Sequence, residues 1–594
     1  MDRKSKCRKS RLPLVATATA MTLLTAASGR PQEGGLASFL DRVEVRVVNV
    51  DVVVLDDFGN PMRGLASEDF EIFENGEPVE ISNFAAYDVG VANWDWQTTG
   101  REPTEEEAEL DASVLPPPPV SWVVFVDQTR LETGPRNLVL RQVRDFLDRA
   151  RKRDESVMIA TWDGFRLRVV SEFMTDKRAI DSALTDLQRE ASPASFRRAR
   201  SEQIERDIRD VGATTVTVGA DLEIAGPQLE SATTVLMAEA LREEIALDSE
   251  HSARETRRAI EGFQDLLGLI DGIDGRVVML FAGGGYDLDP GDALAELWSL
   301  RFRQRSADNV TAGTGVRASK LAQVYLDTLE VLNASRVTVH TIFGGAVRGP
   351  DVSAENPSGS LEFGALTSAS GSVAASSTLS GFAEETGGRS FNATGDLGDR
   401  LDLVRRDMSF YYSLGYHPDP ATDRGLRKIE VRVRREGARV VHRDALAERT
   451  AEERAEAAAF AALIRPQGQP TTAARIEAQP PRDAPRGRGR VVPVRLALPL
   501  RELALLPEGA QHHAKLLLRF VLSTPDGAYL SLEPRRFEFG IPNEELTKSL
   551  GGFVPYEVLL PLDPGQYRLG VSVQDELAGS YFTLVTPVEM PRGR

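Results

Sequence analysis

The stretch SWVVFVD, residues 121–127, is a run of apolar and aromatic residues that ends in Asp127. Such a run is typical of a strand buried in a parallel sheet, whose last residue lies at the carboxyl edge. Helical patterns near 252–271 and 316–334 separate further runs of this kind: SVMIATWDG (156–164), GRVVMLFAGGG (275–285) and SRVTVHTIFGG (335–345). This alternation predicts an α/β fold with a mostly parallel sheet between helices over residues 120–420.

Two segments interrupt the predicted α/β unit. Residues 190–250 are charged and helix-prone and contain no strand pattern, so we expect a helical insertion. Residues 350–380 are rich in serine, glycine and alanine, which predicts a long mobile loop.

Segments rich in β patterns flank this unit on both sides. Residues 43–88 predict a small β unit, in which Asn75-Gly76 is a strong signal for a type I′ hairpin turn. Residues 421–445 predict a β-hairpin associated with that N-terminal unit. Residues 490–594 contain several strand patterns at short spacing, which predicts a β-sandwich-like C-terminal domain.

Three segments are predicted to lie outside these folded units. Residues 1–28 combine a basic run, a short apolar stretch and small residues at the end, the pattern of a secretory signal peptide. Residues 89–119 are acidic and end in four prolines, and 446–489 join an alanine- and glutamate-rich helix to a Pro/Arg-rich linker. No later segment has the apolar length of a membrane span. We therefore expect an exported protein, periplasmic or secreted.

The composition excludes several classes of protein. The chain has 594 residues and a formal net charge of −18, which argues against a nucleic-acid partner because such surfaces are basic. The single cysteine, Cys7, excludes disulfides within the chain and thiolate metal clusters. Motifs of a nucleophile elbow, a zinc helix, a Walker A loop or a dinucleotide fingerprint do not occur. His340 sits inside an apolar strand pattern and is predicted to be a core histidine.

The order of several motifs resembles secreted bacterial proteins of the von Willebrand factor A-related group, often called the acidobacterial type. The resemblance covers residues 43–445 and rests on these segments: VDVVVLDDFGNPMRGLASEDFEIFENGEPVEI, VVFVDQT, VMIATWDGFRLRVVSEFMTD, RRAIEGFQDLLGLIDGIDGRVVMLFAGGG, VTVHTI, FAEETGGRSF and SFYYSLGYHP. It implies a Rossmann-like fold in a binding or scaffolding role. It also implies a divalent cation, such as Mg²⁺, at the carboxyl edge of the sheet.

This chain keeps only part of the metal motif that the resemblance implies. Asp127 stands at the position of the first aspartate, and Thr129 supplies a hydroxyl at that of the first serine. Leu131 stands at the second serine and Ala282 at the later aspartate, and neither side chain offers an oxygen. Asp127 and Thr129 are therefore the candidate ligands of a degenerate Mg²⁺ site, and no other cofactor is implied.

We expect an exported, non-enzymatic protein that binds a protein partner of the cell envelope or extracellular space. Ligands of α/β sheets bind at the carboxyl edge. The predicted edge consists of Asp127, Gln128, Thr129, Arg130, Asp163, Gly283, Gly284, Gly285 and Tyr286. Two alternatives stay open: an exported hydrolase whose nucleophile lies in 190–250 or 350–380, and a structural assembly subunit. The oligomeric state stays open as well.

Overall fold

The structure is a computed structural model. It describes residues 48–88, 114–115, 120–211, 227–273, 275–302, 314–345, 363–393, 396–418, 426–447, 450–465, 472–484 and 489–592. The predicted signal peptide over 1–28 and most of the predicted linker over 89–119 lie outside these ranges.

The strands occupy most of the described chain. The first twelve are β1 Val48–Leu55, β2 Phe70–Glu74, β3 Glu77–Val79, β4 Ile81–Asp88, β5 Val114–Leu115, β6 Val120–Asp127, β7 Ser156–Trp162, β8 Leu167–Met174, β9 Arg276–Gly283, β10 Val337–Phe343, β11 Ser390–Asn392 and β12 Phe410–Tyr416. The later strands are β13 Leu426–Val433, β14 Arg439–Val441, β15 Ala445–Ala447, β16 Arg475–Ala478, β17 Arg482–Asp483, β18 Arg490–Pro499, β19 Leu506–Glu508, β20 Gln511–Ser523, β21 Tyr529–Ser531, β22 Arg535–Pro542, β23 Phe553–Pro561, β24 Gly565–Asp575 and β25 Tyr581–Met590.

The helices fall mainly in the middle of the chain. They are α1 Thr133–Ala150, α2 Lys177–Arg189, α3 Ala194–Asp210, α4 Pro227–Ile270, α5 Asp292–Phe302, α6 Thr314–Ala334, α7 Phe363–Glu385, α8 Leu397–Ser409, α9 Ala451–Ile464 and α10 Leu546–Ser549. No helix of the described ranges is long and apolar enough to cross a membrane.

The middle of the chain forms one sheet in the order β11-β10-β9-β6-β7-β8. Its pairs are parallel except β7–β8, which turns back antiparallel after Asp163-Gly164. The strand β6 is central and fully buried, as its apolar run predicts. Helices α1, α2 and α8 pack on one face of the sheet, and α4, α6 and α7 pack on the other. We call this part the middle unit.

A second unit combines segments from both sides of the middle unit. One of its sheets has the order β14-β1-β12-β4-β5 and the other β15-β13-β2-β3. A shared apolar core lies between them, including Val52, Ile72, Tyr412 and Val431. Residues 410–416 fall within the predicted 120–420 unit, but as β12 they pair with β1 and β4. We call this part the split sandwich.

The C-terminal unit also consists of two packed sheets. The strand β18 pairs with β16, β17 and β23, while β20 pairs with β19, β21, β22 and β24, and β24 with β25. The helix α9 packs between this unit and the middle unit: a Cβ at Gly272 would stand 2.2 Å from the carbonyl oxygen of Ala457 in α9. A capping box starts α9, because Thr450 accepts a hydrogen bond from the Glu453 N–H and Glu453 from the Thr450 N–H.

The predicted α/β, Rossmann-like class is wrong for the chain. Among the sheets of the described ranges, only that of the middle unit is mainly parallel. The other sheets are antiparallel except at the short β4–β5 pair, so the class is mixed α and β. The physical reason is that hairpin turns and long-range pairings, such as β2 with β13, join the strands outside the middle unit without crossover helices.

The loop predicted over 350–380 is also wrong for its described part, because α7 begins at Phe363. Its small residues permit close packing rather than mobility. A Cβ at Gly381 would lie 2.1 Å from the Tyr325 hydroxyl, and one at Gly285 would lie 1.9 Å from the Ala375 carbonyl oxygen. The helical insertion expected over 190–250 corresponds to α3 and the first half of α4.

Candidate functional site

The carboxyl ends of β6, β7 and β9 meet at one edge of the middle sheet. Asp127, the last residue of β6, is in register with Trp162 of β7. A Cβ at Gly283, the last residue of β9, would lie 3.7 Å from the Asp127 Cβ. Parallel order therefore brings the predicted edge segments together.

Asp127 is 1% exposed, and its partners hold its carboxylate in place. Its Oδ1 accepts hydrogen bonds from the Thr129 N–H at 2.9 Å and from the Thr129 hydroxyl at 2.5 Å. Burial raises the pKa of Asp127, and the bonds from Thr129 and the charges of Arg130 and Arg197 oppose that rise.

Two arginines lie beside this carboxylate. Arg130 follows β6, and its Nη2 donates to the Thr256 hydroxyl on α4. Arg197 comes from the first turn of α3. Burial, followed by the positive charge of Arg130, lowers the pKa of Arg197, although a guanidinium keeps its proton at neutral pH.

The start of α3 is fixed against the loop that follows β6. The Ser192 hydroxyl lies 2.9 Å from the Gln128 carbonyl oxygen and 2.7 Å from that of Leu131. This contact places Arg197 near Asp127.

Tyr286 closes the inner side of this group of residues. It is 1% exposed, its N–H donates to the Thr378 hydroxyl at 2.9 Å, and its ring packs against Phe281 and Phe382. Burial and then the charge of Asp127 raise its pKa well above the usual value, so the phenol stays protonated. Its hydroxyl is buried and has no hydrogen-bond partner among the described residues. We call Asp127, Arg130, Arg197 and Tyr286 the edge cluster.

Gln128 does not belong to the accessible edge, although the sequence predicted it there. Its Nε2 donates to the Thr161 hydroxyl at 3.1 Å and to Glu190 at 3.0 Å, and its Oε1 accepts from Arg136 Nη1 at 2.8 Å. Arg136 is itself fully buried and donates to the carbonyl oxygens of Gln188 and Glu190. Gln128 is thus part of a structural network between the sheet and α2.

The predicted edge glycines serve close packing. A Cβ at Gly284 would lie 2.0 Å from the Arg130 carbonyl oxygen. Gly285 has a φ of 74°, and a Cβ there would lie 1.9 Å from the carbonyl oxygen of Ala375 in α7. A Cβ at Gly283 would lie 3.1 Å from the ring of Phe281. These contacts leave no room for a side chain at Gly284 or Gly285.

Asp163 lies in the turn between β7 and β8. Its Oδ1 accepts from the N–H groups of Phe165 at 2.8 Å and Arg166 at 3.0 Å. A Cβ at Gly164 would lie 3.3 Å from the Thr129 methyl group, so this turn adjoins the loop after β6. The Phe165 ring is 87% exposed beside it.

The residues at this edge do not fit a divalent cation. Thr129 occupies one carboxylate oxygen of Asp127, while Leu131 is buried in the apolar core and Ala282 offers no oxygen. Within the described ranges, no group of three or more acidic or histidine side chains is arranged to hold a metal. Two guanidinium groups already interact with Asp127, and a cation there would meet their repulsion.

Sequence patterns missed Arg197, Thr256 and Phe196, which α3 and α4 bring to the edge. The 190–250 segment has no site motif, and Arg197 stands in an ordinary basic run, RRAR (197–200). Only the fold of α3 against β6 reveals its place. Phe196, next to it, is 86% exposed.

His340 is confirmed as a core histidine. Its ring accepts a hydrogen bond from the Arg389 N–H at 3.0 Å, and burial lowers its pKa to about 3.

Comparisons with known proteins add little to this geometry. No family model matches the chain, and no curated protein matches it. The three N-terminal domains of the type V pili tip protein Mfa5 from Porphyromonas gingivalis align at 8% identity over 80% of this chain and 71% of theirs, with a TM-score of 0.22. The C-terminal domain of the Streptococcus pyogenes antigen I/II-family protein AspA aligns at 10% identity over 32% of this chain and 63% of its own, with a TM-score of 0.10. At such TM-scores neither likeness carries an argument about fold or function.

Proposed function

We propose that this protein is an exported, non-enzymatic binding protein whose partner is a protein of the cell envelope or extracellular space. The partner contacts the edge formed by the loops after β6 and β7 and by the start of α3. Export rests on the signal-peptide pattern of residues 1–28, and a binding role agrees with the resemblance to the von Willebrand factor A-related group.

One observation carries the proposal: Phe165 and Phe196 are 87% and 86% exposed at this edge. Aromatic side chains expose their rings to water at a cost in free energy, and interface hot spots are rich in aromatic and arginine residues. Here each phenylalanine comes from a loop or helix start that adjoins the edge cluster. Aromatic rings around partly buried arginines make a surface suited to a protein partner.

Photo-crosslinking identifies the partner. A photoreactive phenylalanine analogue is placed at position 165, 196 or 58 of the full chain, in the cells that make the protein. Phe58 is the matched control because it is equally exposed, at 87%, but lies in a turn of the split sandwich. We expect one protein to crosslink from 165 and 196 and not from 58.

Affinity measurements with that purified partner then test the surface. We expect Phe165→Ser and Phe196→Ser each to weaken binding by about tenfold or more, which is the size of a hot-spot residue. Phe58→Ser should leave the affinity unchanged. Equal affinities for all three variants, or the same crosslinks from position 58, would refute the proposal.

A further inference from the structure

The first half of α4 is apolar on two opposite faces. One face is buried against α3 and α5, and its side chains are Ala238, Leu241 and Ile245. The indole N–H of Trp298 in α5 also donates to the Ala238 carbonyl oxygen at 2.8 Å. These contacts determine which side of α4 faces the protein and which side faces solvent.

The solvent face of α4 exposes large apolar side chains. Leu236 is 72% exposed and Leu247 is 64% exposed, and the small, exposed Ala240 lies between them. Steps of four and then seven residues place all three on one line along the helix. Val235 and Met237, next to Leu236 in sequence, are exposed as well. We call Leu236, Ala240 and Leu247 the apolar stripe. A surface helix normally has a single apolar face, so this second one indicates a contact surface.

A row of glutamates runs beside the apolar stripe. Glu239, Glu243 and Glu250 each follow a member of the stripe by three residues, so each is its neighbour on the helix surface. Arg242 pairs with Glu239 at 3.1 Å, and Arg254 pairs with Glu250 at 3.4 Å. Glu243, in the middle of the row, is exposed and forms no ion pair with another described residue. We call these three glutamates the acidic row.

The charge of this face selects the kind of partner. Between residues 235 and 250, α4 carries five acidic side chains and one arginine. A second copy of the same face would bring two acidic rows together, and an anionic lipid surface would be repelled as well. A helix whose apolar side is flanked by lysine or arginine matches both the stripe and the row. The stripe rises by about 16 Å, or three turns, which an amphipathic helix of ordinary length can cover.

We propose that α4 binds a basic amphipathic helix of a protein partner along the apolar stripe and the acidic row. The apolar side of the bound helix covers Leu236 and Leu247, and Ala240 lets the two helix backbones approach closely. Its cations pair with the acidic row, Glu243 first. This inference does not rest on the proposed function, because no residue of the edge between β6, β7 and α3 takes part in it.

A designed peptide tests this chemistry without knowledge of the natural partner. The full chain is titrated into a labelled peptide of about 18 residues, or five turns, made of leucine and lysine with the leucines on one helical face. One control peptide has the same composition in an order without an apolar face, and the other has glutamate in place of lysine. Binding is measured by fluorescence anisotropy.

We expect the basic amphipathic peptide to bind at least about tenfold more tightly than either control, with an affinity that falls as salt is added. Equal binding of the reordered or the acidic peptide would overturn the inference, and so would no binding of the basic peptide.

Matched variants test whether the peptide lies on α4. Leu247→Ser should weaken peptide binding by about tenfold or more, the size of a hot-spot residue. Leu326→Ser is its control, because Leu326 of α6 is 51% exposed in the same unit, and it should leave the affinity unchanged. Glu243→Gln should weaken binding by about two- to fivefold, as expected for an exposed ion pair, whereas Glu330→Gln at an exposed position of α6 should not. Equal affinities for Leu247→Ser and Leu326→Ser would overturn the inference.

Sedimentation velocity tests the rival occupant, a second copy of the chain. We expect the natural chain and Leu247→Ser to sediment alike in the absence of peptide, and their circular dichroism spectra to match because Leu247 is exposed. A dimer of the natural chain that Leu247→Ser abolishes would assign this face to contacts between copies and overturn the assignment to a basic helix.

Discussion

The buried ion pair between Glu74 and Arg427 should control the stability of the split sandwich. Both residues are about 5% exposed, and Arg427 Nη1 donates to Glu74 Oε1 across the β2–β13 pair. Glu74→Gln keeps the shape of the side chain but removes its charge, so the buried guanidinium of Arg427 loses its ion pair with Glu74. Breaking a buried pair in this way costs about 3 kcal/mol or more.

The same two strands supply a matched control. Glu71 of β2 pairs with Arg434 at 2.7 Å, just beyond the end of β13, and both side chains are exposed. Exposed pairs contribute about 1 kcal/mol or less, so Glu71→Gln should have a small effect. The two variants remove the same charge from one strand and differ mainly in the burial of the pair.

Hydrogen exchange measured by mass spectrometry is the suitable assay, because a chain of several units need not unfold in one step. Peptides covering β2 and β13 should exchange about a hundredfold faster in Glu74→Gln, which is the effect of roughly 3 kcal/mol on an opening equilibrium. The Glu71→Gln variant should change exchange by about fivefold or less. Equal acceleration in both variants would refute the argument that burial determines the strength of this pair.

Two further predictions concern the middle unit. Burial, with the neighbouring Asp292 and Asp287, raises the pKa of Asp289 in the folded chain to about 6. In the unfolded chain an aspartate has a pKa of about 4, so it loses its proton at a lower pH than in the folded chain. The free energy of unfolding therefore falls as the pH rises from about 4 to about 6. We therefore expect Asp289→Asn to melt at a higher temperature than the natural protein above pH 6 and at the same temperature near pH 4; a difference that does not change with pH would contradict this. Gly285→Ala should lower the melting temperature through about 2 kcal/mol or more of strain, since its φ is 74° and the new Cβ would stand 1.9 Å from the Ala375 carbonyl oxygen. Gly59→Ala is its control, with a φ of 79° and no atom within 4 Å of the new Cβ, and an equal loss in both would show that the contact with α7 contributes nothing.

Local patterns predicted those parts of the fold that depend on neighbours in sequence. The apolar run before Asp127 is a central buried strand. Asn75 and Gly76 have φ values of 53° and 88° and join β2 to β3, as the type I′ signal requires. Asp163-Gly164 likewise joins β7 to β8. In each case a few adjacent residues determine the conformation.

Which strands pair over a long range could not be predicted in this way, although residues 421–445 were expected to associate with the N-terminal unit. The strand β12, FYYSLGY, is rich in aromatic residues and buried along nearly its whole length, but nothing in its residues specifies that it lies between β1 and β4. The same limit applies to the edge cluster. Asp127 was predicted from its position at a strand end, whereas Arg197 reaches it only because Ser192 fixes the start of α3 against the loop after β6. Small residues over 363–380 suggested a loop, since composition does not reveal that Tyr325 and Gly285 require a closely packed helix.

The central position of β12 has a consequence for the time course of folding. The strands β1 and β4 are made early, but each lacks its neighbour in the sheet until Phe410 and the residues after it have left the ribosome. At typical rates of synthesis, the intervening residues take roughly 20 to 60 s. During that interval two apolar strand edges remain open to other chains, while the middle unit can already complete its own sheet. The first strands to be synthesised therefore belong to a unit that closes only after the middle unit has been made.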